Sequence, residues 1–128
     1  MGLSKSVVQN TKDRRRFDRE QVCLVGSRCS QCDMTSWPQR AVCPRCGTAP
    51  MLESAFGSTG TLLSHTTVWV PRPGIVPPYT LGQVQVTNGP IVFTHVRGLQ
   101  EGVSVPLPVR MLLAEDPAAV PPFWFEPV

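Results

Sequence analysis

A chain of 128 residues is the size of one ordinary domain or two very small ones, and with 41% hydrophobic and 16% charged residues it has the make-up of a folded protein rather than a disordered one. The net charge of +3 sits in the leader: residues 1–20 carry six basic groups against three acids, while residues 21–128 carry six of each and cancel. That balance argues against nucleic acid as the partner, because such sites need a basic surface on the folded body itself.

No apolar run approaches the ~20 residues needed to span a bilayer, and the first residues lack the apolar centre of a signal peptide. The expectation is therefore a cytoplasmic protein. Fourteen prolines and ten glycines interrupt any long helical pattern and predict a mainly β chain of short strands joined by turns.

Residues 1–22 are polar and contain the charge cluster "KDRRRFDRE". With Val7, Val8 and Phe17 as anchors, the segment is either a helix or a tail that orders against a partner. Cys23 follows in the strand-like "QVCLVGS". It reads as a small buried apolar residue; a redox thiol would need an exposed basic setting.

Residues 23–56 hold the strongest motif, Cys29-x2-Cys32-x10-Cys43-x2-Cys46. Each Cys-x-x-Cys is a tight turn that puts two sulfurs on one side, and two such knuckles complete a tetrahedron around one ion. Ten residues are enough to run out and back as a short hairpin at ~3.3 Å per residue. Pro44 and Gly47 supply the rigidity and the freedom the knuckle needs. Four thiolates favour zinc, with iron in a rubredoxin-like site as the lesser option, and an odd count of five cysteines argues against disulfides. Four ligands close the coordination sphere, so the ion stabilises a module too small for a core of its own and leaves no position for substrate.

From Gly57 the pattern turns to strands: "GTLLSHTTVWV", "YTLGQVQVT", "IVFTHVRG" and "VPLPVRMLLAE" are β-branched, apolar and bounded by Gly, Pro or Asn. The Asn-Gly pair in "TNGP" suits a type I′ turn and makes the second and third of these antiparallel neighbours. Four to five such strands over residues 57–128 predict a small closed barrel of the OB kind, with an SH3-like barrel or an open meander as alternatives. Trp69 and Phe93 are expected in its core. "FWF" at 123–125 is expected to be buried, against a partner or folded back on the barrel. His65 and His95 both fall within strands. No nucleophile elbow, phosphate loop, zinc-protease motif or paired carboxylates accompany them, so the chain is not expected to be an enzyme on its own.

The order of these segments resembles a family: the zinc-ribbon plus OB-fold, acyl-CoA-associated proteins of the domain of unknown function thirty-five. The likeness spans about residues 23–128. It rests on the ribbon spacing, on "GSTGTLLSHTTVW", on "PPYTLGQVQVTNGPIVFTHVRG", on "EGVSVPLPVRM" and on "PPFWFEP". The resemblance implies a small accessory subunit of thiolase-like enzymes, sometimes with an enoyl-CoA hydratase, whose barrel binds or passes acyl-CoA thioesters while the partner supplies nucleophile and base. On that reading Arg72, Tyr79, His95 and Arg97 are candidate acyl-CoA contacts. Arg14, Arg15, Arg16, Phe123, Trp124 and Phe125 are candidate partner contacts. Arg72 lies in "PRPGIVPP", whose prolines restrict the free loop and reduce the entropy lost on ordering it. The charged leader departs from the family, whose members often begin with an aromatic-containing helix packed on the ribbon. A single-strand nucleic-acid binder and a rubredoxin-like electron carrier are the rival functions.

Overall fold

The computed structural model describes residues 15–128, and these form nine strands and no helix. The chain divides into two compact units. One comprises the described residues up to Gly57 together with Asn88–Pro90, the other Ser58–Thr87 and Ile91–Val128.

In the first unit β2 (Cys23–Arg28) is the centre of a four-stranded antiparallel sheet, paired with β1 (Phe17–Asp18), β3 (Thr35–Ser36) and β4 (Leu52–Ala55). Cys23, Leu24 and Val25 are buried, as the apolar "CLV" requires. Cys23 thus takes the structural place expected of it, and burial pushes its thiol above the usual range. The buried serines find partners. The Ser27 and Ser36 hydroxyls lie 2.6 Å apart, and the Arg40 N–H donates to Ser27 Oγ at 3.0 Å. Gly26 is required by close approach: a Cβ there would collide with the Ser36 carbonyl oxygen and come within 2.8 Å of the Phe56 ring. Gly26→Ala should therefore cost about 1–3 kcal/mol through overpacking, read as a lower midpoint of denaturant unfolding; an unchanged midpoint would refute the close approach.

The helix considered for residues 1–22 is not what the described part of that segment adopts. Within residues 15–22, Phe17–Asp18 form the edge strand of the sheet and residues 19–22 a turn. The Arg16 carbonyl accepts hydrogen bonds from the Val25 N–H and from Trp37 Nε1, both at 2.8 Å, and the Arg15 carbonyl accepts one from Gln39 Nε2 at 3.0 Å. Asp18 Oδ1 accepts from the N–H groups of Glu20 and Gln21, which turns the chain into β2. Side chains of the ribbon loop thus satisfy backbone groups that a helix would have paired internally.

The second unit is a closed barrel of β5 (Thr59–Val68), β6 (Tyr79–Val86), β7 (Ile91–Val96), β8 (Leu107–Leu113) and β9 (Phe123–Pro127). Its strand order is β5-β6-β7-β9-β8, with β8 returning to β5 and the β7–β9 pair parallel. This is the Greek-key barrel of the OB kind. Alternate residues fill the interior: Leu62, Val84, Val86, Val92, Val96, Val109, Met111, Phe123 and Phe125 are all buried. Gly82 lets β6 approach the core, since a Cβ would lie 2.7 Å from Leu62 Cδ1 and 2.8 Å from the Ser64 carbonyl oxygen.

Three expectations are corrected here. Trp69 is 71% exposed and Phe93 60%, so neither is a core residue. Phe93 points to the outer face of the sheet because its neighbours Val92 and Thr94 take the inner one. Trp69 lies beyond the end of β5, past the register shift between Leu62 and Ser64, after which that strand is largely exposed on both faces. The β6–β7 hairpin is antiparallel, but its connection is the four residues 87–90, with positive φ at Asn88 and not at Gly89. It is not a two-residue type I′ turn.

Candidate functional site

The two knuckles are built alike. After the second cysteine of each, one residue takes a positive φ: Asp33 at 65° and Gly47 at 76°. Its N–H returns to the carbonyl of the first cysteine, Asp33 to Cys29 at 3.1 Å and Gly47 to Cys43 at 3.0 Å. The first cysteine's own N–H bonds one residue further on, Cys29 to the Met34 carbonyl at 2.8 Å and Cys43 to that of Thr48 at 2.9 Å. Asp33 does what Gly47 does because a short polar side chain tolerates the left-handed region.

These turns bring the sulfurs of Cys29, Cys32, Cys43 and Cys46 within 4.8 Å of one another. The closest pairs are Cys29–Cys46 at 3.5 Å and Cys32–Cys43 at 3.6 Å. A tetrahedral ion with bonds of ~2.3 Å needs sulfur–sulfur edges of about 3.8 Å, so the donor set fits such an ion after a slight relaxation. Second-sphere groups act unevenly on the sulfurs: the Cys32 and Cys46 thiols are lowered, while Cys43, whose backbone hydrogen bonds are opposed by burial and by the neighbouring Cys32 and Cys46, is raised. The Gln31 N–H points at Cys29 Sγ from 3.4 Å, and a side-chain hydrogen bond from Thr48, aided by its backbone, holds the Cys46 thiol down to about 6. Cys29, Cys43 and Met51 form a buried cluster with Cys32 and Met34 packed on it, so the cage replaces an apolar core.

The barrel carries a cleft of about 460 Å³ at one end. Its walls are the β5–β6 connection (residues 74–78), the start of β6, the end of β7 with Gly98 and Leu99, and Val120–Pro121 of the β8–β9 connection. These two connections flank the ligand face of many OB barrels. His95 stands beside Tyr79 with ring centroids 5.4 Å apart, and Tyr79 donates its hydroxyl hydrogen to the Val70 carbonyl at 3.2 Å. Burial, then the positive charges of Arg97 and Arg72, hold the His95 imidazole below its ordinary value. The Arg97 guanidinium lies over the Trp124 ring, 4.0 Å from its centroid.

Of the residues singled out as acyl-CoA contacts, Tyr79, His95 and Arg97 line this one cleft. Arg72 is exposed on the same connection, tied to Ile75 by a backbone hydrogen bond of 2.9 Å. The residues singled out for partner contact do not form one surface. Phe123 and Phe125 are 8% and 0% exposed inside the barrel, so the folded-back alternative holds and neither offers a face to a partner. Trp124 between them is half-buried. Arg15 is engaged within its own unit, with Asp18 at 2.9 Å and Glu53 at 3.3 Å. Arg16 is exposed, and Arg14 lies outside the described residues. Sequence reasoning missed Ile75, Val76, Gly98 and Val120 as cleft walls. The clue available was the pair of proline-rich stretches, "PRPGIVPP" and "EDPAAVPP", at the two connections of an OB barrel.

Residues 24–51 match the family model of the ChsH2 rubredoxin-like zinc ribbon domain. The chain is 29% identical over 122 residues to a DUF35 domain-containing scaffold protein of Pyrococcus furiosus, covering 88% of this chain and 89% of that protein. Among solved structures it is similar to a chain of the Ltp2–ChsH2(DUF35) aldolase, with 25% identity and a TM-score of 0.66 over 89% of this chain and 98% of that one. A DUF35-family protein of unknown function from Sulfolobus solfataricus shares the fold, with 18% identity and a TM-score of 0.59 over 85% of this chain and 78% of that one. The chain is thus similar to DUF35 proteins along nearly its whole described length, with a ribbon of the ChsH2 type over residues 24–51 followed by an OB barrel.

Proposed function

We propose that the protein is a non-catalytic accessory subunit of a thiolase-superfamily enzyme, and that its barrel binds acyl-CoA thioesters at the cleft holding Tyr79, His95 and Arg97. The observation that carries the reading is the likeness, along 89% of this chain and 98% of the other, to a chain of an aldolase complex. The Pyrococcus relative, called a scaffold protein, points the same way. The four-cysteine cage supports it from the chemical side: with zinc bound by all four sulfurs, no coordination position is left for a reacting water or thioester. Reactivity is then the partner's, whether thiolysis, condensation, acyl transfer or retro-aldol cleavage, in some assemblies alongside an enoyl-CoA hydratase. Among the described residues no helix is long and apolar enough to cross a membrane.

Co-expression with a thiolase-like protein of the same host is expected to give a stoichiometric complex whose partner is inactive or insoluble without this chain. Calorimetry should show acyl-CoA binding to the complex. A clean monomer with no effect on that partner, or unaided turnover of a thioester by the isolated chain, would contradict the assignment. One observation favours a second reading. Phe93 lies exposed on the outer face of an OB sheet, as a base-stacking residue would. Its cross-strand neighbour is Gln83 and the flanking pairs on the same face are Ile91 with Gln85 and His95 with Leu81, none of them a Lys or Arg.

A further inference from the structure

We propose that the cleft seats the diphosphate end of the thioester's nucleotide, held by Arg97, His95 and Arg72, and that seating it places a proton on His95. The inference rests on the acyl-CoA reading and adds which end of the ligand the cleft takes.

The charges in and around the cleft are of one sign. Arg97 reaches it from the end of β7, His95 from the same strand, and Arg72 stands on the β5–β6 connection. Among the described residues neither Arg72 nor Arg97 has a carboxylate partner, whereas Arg110, elsewhere on the barrel, pairs with Glu126 at 3.5 Å. No acid lines the cleft. Arg97 holds its guanidinium over the Trp124 ring, 4.0 Å from the centroid, a contact that uses none of its N–H donors and leaves them to an anion. Gly74 and Gly98, with φ of 80° and 79°, put side-chain-free backbone in the wall, where phosphate oxygens can come close. An apolar acyl chain in the same place would desolvate these cations without pairing them. The volume, about 460 Å³, is within the usual range for a small-molecule site.

The groups that face His95 are Tyr79 from β6, Arg97 from its own strand and Arg72 from the connection; Val120 and Pro121 supply no charge from the β8–β9 side. In the free protein burial, then the charges of Arg97 and Arg72, disfavour the imidazolium. A bound anion offsets the arginine charges and favours the imidazolium, so binding takes up a proton. Affinity then rises as pH falls through the bound-state value and levels off below the free-state one.

The test is calorimetry on the full chain, or on its complex with the partner, at pH 6.5 in two buffers of different ionisation enthalpy. ADP is the probe of the diphosphate end, pantetheine of the neutral arm, and acetyl-CoA of the whole. ADP should bind, pantetheine should not, and Arg72→Gln and Arg97→Met should each weaken ADP about tenfold, as loss of a charged hydrogen bond does. Proton uptake seen in the wild type should vanish in His95→Gln, a readout that a merely structural role would not move. Arg72 is exposed, so its variant keeps the test meaningful if Arg97→Met fails to fold. Acetyl-CoA binding without ADP binding, or ADP binding indifferent to all three variants, overturns this inference and leaves the acyl-CoA reading standing. No binding of acetyl-CoA or ADP overturns both. Displacement of ADP by oligothymidylate with a steep salt dependence would assign the phosphate site to nucleic acid instead.

Discussion

Cys43→Ser is expected to release the ion and unfold the first unit. Cys43 is 2% exposed, and its sulfur lies 3.6 Å from that of Cys32, inside the cluster that Met51 completes. Structural zinc supplies on the order of 10 kcal/mol to modules of this size, comparable to the whole stability of a small domain at about 5–15 kcal/mol. The rest of the unit cannot make up the loss, because its apolar interior outside the cage is little more than Cys23, Leu24, Val25 and Phe56. The change should appear as loss of bound metal and loss of amide-exchange protection along β2 and β4. A metal-free variant that keeps protection there would show that the cage does not hold the unit. Acid should act in the same direction, since the ion needs thiolates and protonation competes with it.

The second large effect belongs to the barrel. Phe125 is fully buried on β9, with Val96 of β7 beside it on one side and Met111 of β8 on the other. Phe125→Ala should cost about 3–5 kcal/mol, a fall in melting temperature of roughly 15–30 °C for a domain of this size. Trp124→Phe, one position away, should do little by comparison. Its Nε1 is buried without a hydrogen-bond partner, so removing it leaves nothing unpaired. Equal losses for the two variants would contradict the alternation of inner and outer faces on β9.

The cysteine cage was legible because its chemistry depends on spacing alone. Two Cys-x-x-Cys turns ten residues apart leave few arrangements other than four sulfurs around one ion, and the sulfurs do converge. The barrel strands were legible from β-branched runs between Gly and Pro. Which aromatic residues entered the core was not. A one-residue shift in register reverses every side chain, and Phe93 and Trp69 fell on the outer side of that choice. The leader misled for a related reason. Its charges suggested a solvated helix or tail, yet hydrogen bonds to the backbone of Arg15 and Arg16 come from Trp37 and Gln39, more than twenty residues away.

The sequence by itself determined the four-cysteine cage, the mainly β class and four of the five barrel strands, because each rests on local spacing or on alternation over a few residues; the fifth, Phe123–Pro127, it read only as an aromatic tail. The cleft was decided by tertiary structure. Tyr79, His95 and Arg97 meet only when β6 pairs with β7, and the walls close over them only when the β5–β6 and β8–β9 connections reach the same end of the barrel. Strand order between segments distant in sequence leaves no mark in any one of them, which is why residues read one by one as strand positions became a site only on folding.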